Sequence, residues 1–128
     1  MNIPFNKIIE FSYALLDRNP NPRYRHFSFI LDKGRILSVA MNNQFKTHPL
    51  TRKYNYFSEH LHSELSACIK LGLENAEGLV MVNTRILLQN NKLGFSKPCY
   101  GCQNLCKQLQ FKEIWFTTSS GEFERLFT

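Results

Sequence analysis

Pro98-Cys99-Tyr100-Gly101-Cys102, read together with His62-Ser63-Glu64 upstream, supplies two thiolates, one imidazole and a carboxylate that need not be a ligand. Three such ligands are one short of the four that close a structural zinc site, so a fourth tetrahedral position is left for water. A C-x-x-C pair behind a proline, with a histidine upstream, fits metal binding better than a disulfide framework. Cys99 and Cys102 are three apart in a predicted first helical turn, where both sulfurs can face one point and the helix N-terminus favours their thiolate forms. An alternative stays open at this level. Cys106 or His60 could close the site as a fourth ligand, with Glu64 merely a favourable first-turn charge, but this leaves the two-residue offset of His62 and Glu64 unexplained.

Working outward, Leu61, Leu65, Cys68 and Ile69 form one apolar stripe ending near Gly72, which predicts a helix with His62 and Glu64 in its first turn. Cys99, Cys102, Cys106 and Leu109 recur at helical spacing, and Pro98 suits the start of that helix because it has no N–H to lose there. Cys68 and Cys106 lie on apolar faces and read as core thiols. Leu79-Val80-Met81-Val82 fits a buried central strand.

Near the start, Phe5, Ile8, Ile9, Leu15 and Leu16 predict an amphipathic helix covering a sheet face, stopped by Asn19-Pro20-Asn21-Pro22. The runs His26 to Leu31 and Ile36 to Ala40 flank Asp32-Lys33-Gly34 and read as a β-hairpin. The runs Ile114 to Thr118 and Phe123 to Phe127 are joined only by Ser119-Ser120-Gly121-Glu122. A parallel return needs a crossover of roughly a dozen residues, so this pair is expected to be antiparallel. From Met41 to about Ser58 the chain is polar, basic and aromatic (Lys46, His48, Arg52, Lys53, Tyr54, Tyr56, Phe57) without a sustained period, and a long functional loop is expected.

At 128 residues the chain has single-domain length, so one domain over residues 1–128 is expected. No apolar run approaches a membrane span and the start Met-Asn-Ile-Pro lacks a signal-peptide pattern, which excludes membrane chemistry as the first reading and favours a reducing, cytoplasmic setting. The net charge of +6 favours anionic partners, either free nucleotides or a polynucleotide backbone.

H-x-E followed by P-C-x-x-C is the signature of zinc deaminases acting on nucleobases, and the chain resembles the cytidine deaminase-like superfamily at those residues. The order of elements resembles it over nearly the whole chain. The resemblance implies a three-layer α/β fold: a mixed five-stranded sheet, an antiparallel C-terminal strand pair and helices on both faces. It implies Zn2+ held by His62, Cys99 and Cys102, with activated water attacking C4 of cytosine while Glu64 shuttles protons to the ring nitrogen and the departing ammonia. In that family an Asn after the second strand and the backbone N–H between the His and Glu contact substrate, which implies Asn42 and Ser63 here. Asn43 and a plain turn role remain open beside Asn42, and Tyr100 either borders the substrate or packs.

Two departures matter. Free cytidine deaminases carry N-x-E, whose Glu binds the sugar, whereas Gln44 stands two beyond Asn42. The stretch Phe45-Lys46-Thr47-His48-Pro49 could reach a phosphate instead, or be a solvated basic loop. The expected function is therefore deamination of a cytosine nucleoside or nucleotide. Deamination of single-stranded DNA or RNA is the alternative, and Arg52, Lys53, Tyr54, Tyr56 and Phe57 favour it. A non-catalytic zinc-stabilised module and a purine substrate stay open, as does a homo-oligomer, since relatives often complete their pockets with a neighbour.

Overall fold

The computed structural model describes residues 2–19, 25–54, 60–72 and 74–126. The expected turn at Pro20 to Pro22, the aromatics Tyr56 and Phe57, the strand end at Phe127, and the side chains of residues 44–47 and His60 lie outside what is described.

Strands β1 (Arg25–Asp32) and β2 (Arg35–Met41) form the expected hairpin. Lys33 and Gly34 both have positive φ, 50° and 81°, the requirement of a two-residue turn whose twist matches that of the strands. β1 also pairs antiparallel with β5 (Val80–Ile86), which pairs parallel with β6 (Glu113–Thr117), which pairs antiparallel with β7 (Phe123–Arg125). The order β2-β1-β5-β6-β7 is thus a mixed five-stranded sheet with the antiparallel end expected from the short Ser119–Glu122 connection.

Side-chain alternation along the inner strands builds two cores. Phe27, Phe29, Leu31, Val80, Val82 and Ile86 face α1 (Phe5–Ala14), which buries Ile8 on them. Ser12 is buried on the same helix because its hydroxyl reaches Ile8 O at 2.9 Å and Thr84 Oγ1 at 2.7 Å. Phe5 stacks on Phe123 and meets Trp115 edge-on, tying the helix to the C-terminal strands. On the opposite face, Ile30, Met81, Ile114 and Phe116 pack against Leu65 and Cys68 of α3 (Ser63–Leu71) and Leu105 and Cys106 of α4 (Tyr100–Leu109).

The expected loop over 41–58 is corrected by the structure. It contains β3 (Asn43–Thr47) and a short helix α2 (Leu50–Lys53), and β3 pairs antiparallel with β4 (His60–Leu61) in a separate ribbon leading directly into α3. A mixed polar and aromatic sequence conceals a ribbon whose partner lies many residues away. The central strand is also longer than its apolar run, continuing through Asn83-Thr84-Arg85 to Ile86. The chain then turns back. Gly94 N donates to Arg85 O at 2.9 Å, and Ser96 N donates to Thr117 O at 2.9 Å. Residues 94–96 thus lie between β5 and the end of β6, beyond the last parallel pair Val82 and Trp115. Gly94 fits there because a Cβ would stand 2.5 Å from Leu87 Cδ2.

Candidate active site

His62 and Cys99 occupy the N-cap positions of α3 and α4, both in extended backbone (ψ 154° and 174°), so each side chain emerges where a helix begins. Pro98 precedes the N-cap rather than opening the helix, and its carbonyl accepts Gln103 Nε2 at 2.8 Å. The segment 94–98 brings Cys99 to this point from the sheet, and β4 brings His62.

His62 Nδ1 lies 3.5 Å from Cys99 Sγ and 3.6 Å from Cys102 Sγ. With zinc–nitrogen and zinc–sulfur bonds near 2.05 and 2.3 Å, a tetrahedral ligand edge is about 3.6 Å, so the donor set fits zinc. All three donor atoms lie within 4.8 Å of one another, and among the described residues no fourth His, Cys, Asp or Glu joins them. Cys106 is fully buried in the core, where burial drives its thiol well above its ordinary range, and Cys68 is pushed up to about 12 for the same reason. Both are protonated core thiols. Cys99 is the opposite case. The Cys102 hydrogen bond, aided by His62 and working against burial, lowers it to about 4. Burial alone would lower the His62 pKa, but the Cys99 hydrogen bond and the charges of Glu64 and Cys99 outweigh it and raise it. Both shifts favour the charged forms, a thiolate and an imidazolium facing one another.

Glu64 is only 7% exposed and near enough for its charge to act on His62. Its Oε2 accepts Asn83 Nδ2 at 2.8 Å, and its Oε1 accepts the Ser63 hydroxyl at 3.1 Å. Ser28 Oγ donates to Asn83 Oδ1 at 2.7 Å and stands 2.7 Å from Ser63 Oγ. Farther back, Ser96 Oγ donates to Asn83 O and meets Thr117 Oγ1 at 2.8 Å. A carboxylate is costly to bury unless it is hydrogen-bonded, and this network supplies the bonds.

Asn42 follows β2, and its Oδ1 accepts His26 N at 3.1 Å and Asn19 Nδ2 at 3.2 Å. It therefore fastens the start of β1 to the end of β2. His26, on the same sheet face as Ser28, is held down to about 4 by burial, then by the positive charges of Arg85 and His62. His48 Nδ1 accepts Leu50 N at 3.1 Å at the start of α2. Tyr100 is 63% exposed, so it does not pack.

Asn83, Ser28, Ser96 and Thr117 were not legible as site residues. The available signal was Ser28 between Phe27 and Phe29, a small polar residue in a strand covered on both faces.

The architecture is the cytidine deaminase-like fold. A dCMP deaminase from the cyanophage S-TIM5 in its apo form superposes with a TM-score of 0.62 at 18% identity, covering 92% of this chain and 86% of that one. A structure from work on A-to-I editing by tRNA:A34 deaminases at the wobble position superposes with a TM-score of 0.50 at 17% identity, covering 86% of this chain and 70% of that one. No protein-family model matches the sequence, and no curated protein matches it. Among the described residues no helix is long and apolar enough to cross a membrane.

Proposed function

We propose that this chain is a zinc-dependent hydrolytic deaminase that converts a cytosine base to uracil in a small nucleoside or nucleotide. The observation that carries the reading is a buried carboxylate, each oxygen of which accepts a hydrogen bond, beside a donor set that among the described residues stops at three. A purely structural zinc site needs four ligands and no such acid. The superposition on a dCMP deaminase supports the same choice of substrate class.

His62, Cys99 and Cys102 would hold the metal, which when bound would supply a Lewis acid that makes water nucleophilic near neutral pH. Glu64 takes one proton from the attacking water and delivers it to the ring nitrogen, then takes the remaining proton of the new C4 hydroxyl and delivers it to the departing ammonia as the C–N bond breaks. The Ser63 N–H, at the start of α3, meets the base carbonyl, and its hydroxyl stays in the network behind. Asn42 contacts the sugar or base from the end of β2 while bracing β1. Two metal-binding thiols and two buried ones suit a reducing, cytoplasmic setting, and the proposed substrate class suits a role in nucleotide metabolism.

A second reading has a specific observation behind it. Phe95 (49%), Lys97 and Tyr100 (63%) are exposed around the exposed Cys99, presenting two aromatic faces and a cation beside the cluster. Stacking and phosphate neutralisation hold single-stranded nucleic acid in this way, so a polynucleotide cytosine is the alternative substrate.

The test is a turnover screen with zinc-loaded protein. Cytidine, deoxycytidine, their mono- and triphosphates and a cytosine-containing oligonucleotide are followed by the absorbance change from cytosine to uracil. Turnover of a nucleoside or nucleotide supports the first reading, and turnover of the oligonucleotide alone replaces it with the second. No turnover of any cytosine substrate ends both.

A further inference from the structure

The carboxylate of Glu64 is held from two directions, and proton counting decides which hold is firm. Asn83 Oδ1 can only accept, so the single proton of the Ser28 hydroxyl is committed to it across 2.7 Å. Ser28 and Ser63 are also 2.7 Å apart, and the proton in that bond must then come from Ser63. Ser63 is left sharing one proton between Ser28 at 2.7 Å and Glu64 Oε1 at the longer 3.1 Å. Donation therefore runs one way, from Ser63 to Ser28 to Asn83 to Glu64, and the Asn83 amide is the firm donor.

The amide cannot turn over. Its nitrogen carries two protons and faces two acceptors, Glu64 Oε2 at 2.8 Å and Ser96 O at 3.4 Å. A flipped amide would set its oxygen against a carboxylate and a carbonyl. Ser28 is 0% exposed, and Ser63 and Asn83 are 2% exposed, so bulk water does not stand in for a broken bond.

From this geometry we infer that Asn83, oriented by Ser28, is the positioning residue of the Glu64 proton shuttle. It anchors one carboxylate oxygen to the central strand and so holds the acid in one rotamer, while the lone pairs it does not engage are free to take the water proton that is then passed to the ring nitrogen. The inference rests on Glu64 being the shuttle proposed above. Thr84 provides an internal control. It is the next residue on β5 and is 0% exposed, but it turns to the opposite face, where its hydroxyl meets Ser12.

The test compares Asn83→Ala, Ser28→Ala and Thr84→Val in zinc-loaded protein carrying 13C-labelled glutamate. The Glu64 carboxyl resonance, identified by its loss in Glu64→Gln, should shift and broaden in Asn83→Ala, do so less in Ser28→Ala, and stay in place in Thr84→Val. With deoxycytidine monophosphate as probe, kcat should fall roughly 10- to 100-fold in Asn83→Ala, the worth of one hydrogen bond to a charged group, with KM and zinc content unchanged. The resonance decides the matter whether or not this probe is turned over. A Glu64 signal in Asn83→Ala superposing on the wild-type signal, or a kcat no lower than that of Thr84→Val, overturns the inference. Should Asn83→Ala fail to fold, an unmoved signal in Ser28→Ala overturns it equally. Activity that survives in Glu64→Gln overturns instead the reading beneath it.

Discussion

Replacing Glu64 with glutamine separates the chemistry of the acid from its place in the fold. The carboxamide has nearly the same shape, so its oxygen can keep the Asn83 Nδ2 bond of 2.8 Å and its new N–H2 can donate to Ser63 Oγ, now 3.1 Å from Oε1. A hydrogen bond to a charged group is worth about 1.5–3 kcal/mol and a neutral one about 0.5–1.5, so the exchange costs about 1 kcal/mol. For a domain of this size that lowers Tm by a few degrees, about 3–6 °C. Zinc content should not change, because none of the three donor atoms is touched. The rate is another matter. A positioned general acid–base contributes roughly 10²- to 10⁴-fold to a proton transfer, and in the proposed mechanism Glu64 serves both the ring nitrogen and the leaving ammonia, so kcat should fall by on the order of 10⁴ or more. The assays are absorbance-monitored deamination of the substrate found by the turnover screen, metal analysis of the purified variant, and thermal melting by circular dichroism. Activity within about tenfold of wild type would refute the shuttle, since no single transfer would then depend on the acid. Loss of zinc would instead move Glu64 into the ligand set.

Three further outcomes are expected. Cys102→Ser should abolish stoichiometric zinc binding, whereas Cys106→Ala should retain it and lose only about 1–2 kcal/mol of stability; metal analysis showing zinc lost from the Cys106 variant would restore the closed four-ligand site. Burial, together with Arg85 and His62, holds His26 at about 4 in the folded chain against 6.5 ordinarily, so between those values the unfolded chain binds more protons. Stability should be complete above pH 6.5 and decline toward pH 4 by on the order of 3 kcal/mol, with His26→Gln flattening the urea-midpoint profile across that window. Leu105, 1% exposed in the core between α4 and the sheet, should cost about 2–5 kcal/mol as Leu105→Ala in urea denaturation, with m unchanged.

The parts of the fold that were legible share a cause. Ile8, Leu65, Cys68, Leu105 and Cys106 repeat with helical period because their helices cover a sheet on one side only, and Lys33-Gly34 announces its turn by local backbone need. The grouping of His62, Cys99 and Cys102 was legible because coordination chemistry restricts residue types and spacing. The ribbon of β3 and β4 was not, since its pairing is distant and its residues are neither alternating nor apolar. Asn83 escaped for a different reason. It ends the apolar run Val80-Met81-Val82, which reads as the end of a strand, yet the strand continues because its polar atoms are satisfied by Ser28, Glu64 and Ser96. Buried polar residues in a covered strand follow from their partners, and those partners lie on other elements.

The two-residue offset between ligand and acid follows from where the helix begins. At 3.6 residues per turn, positions i and i+2 of a continuous helix point about 200° apart, so a histidine and a glutamate so spaced inside one could not serve a common site. His62 escapes this because it is the N-cap, with ψ 154°, while Glu64 already lies within the helix. The break in backbone geometry between them lets both side chains turn toward one point, and the Glu64 charge is felt at the His62 ring. Cys99 repeats the device, standing extended at the head of α4 with Cys102 one turn inside. A donor cluster assembled from two helix starts also gathers the N–H groups of their first turns, which favours thiolates and a developing negative charge in the same small volume. The H-x-E and P-C-x-x-C spacings thus follow from placing candidate donors at N-caps, and they would lose their meaning one residue deeper in either helix.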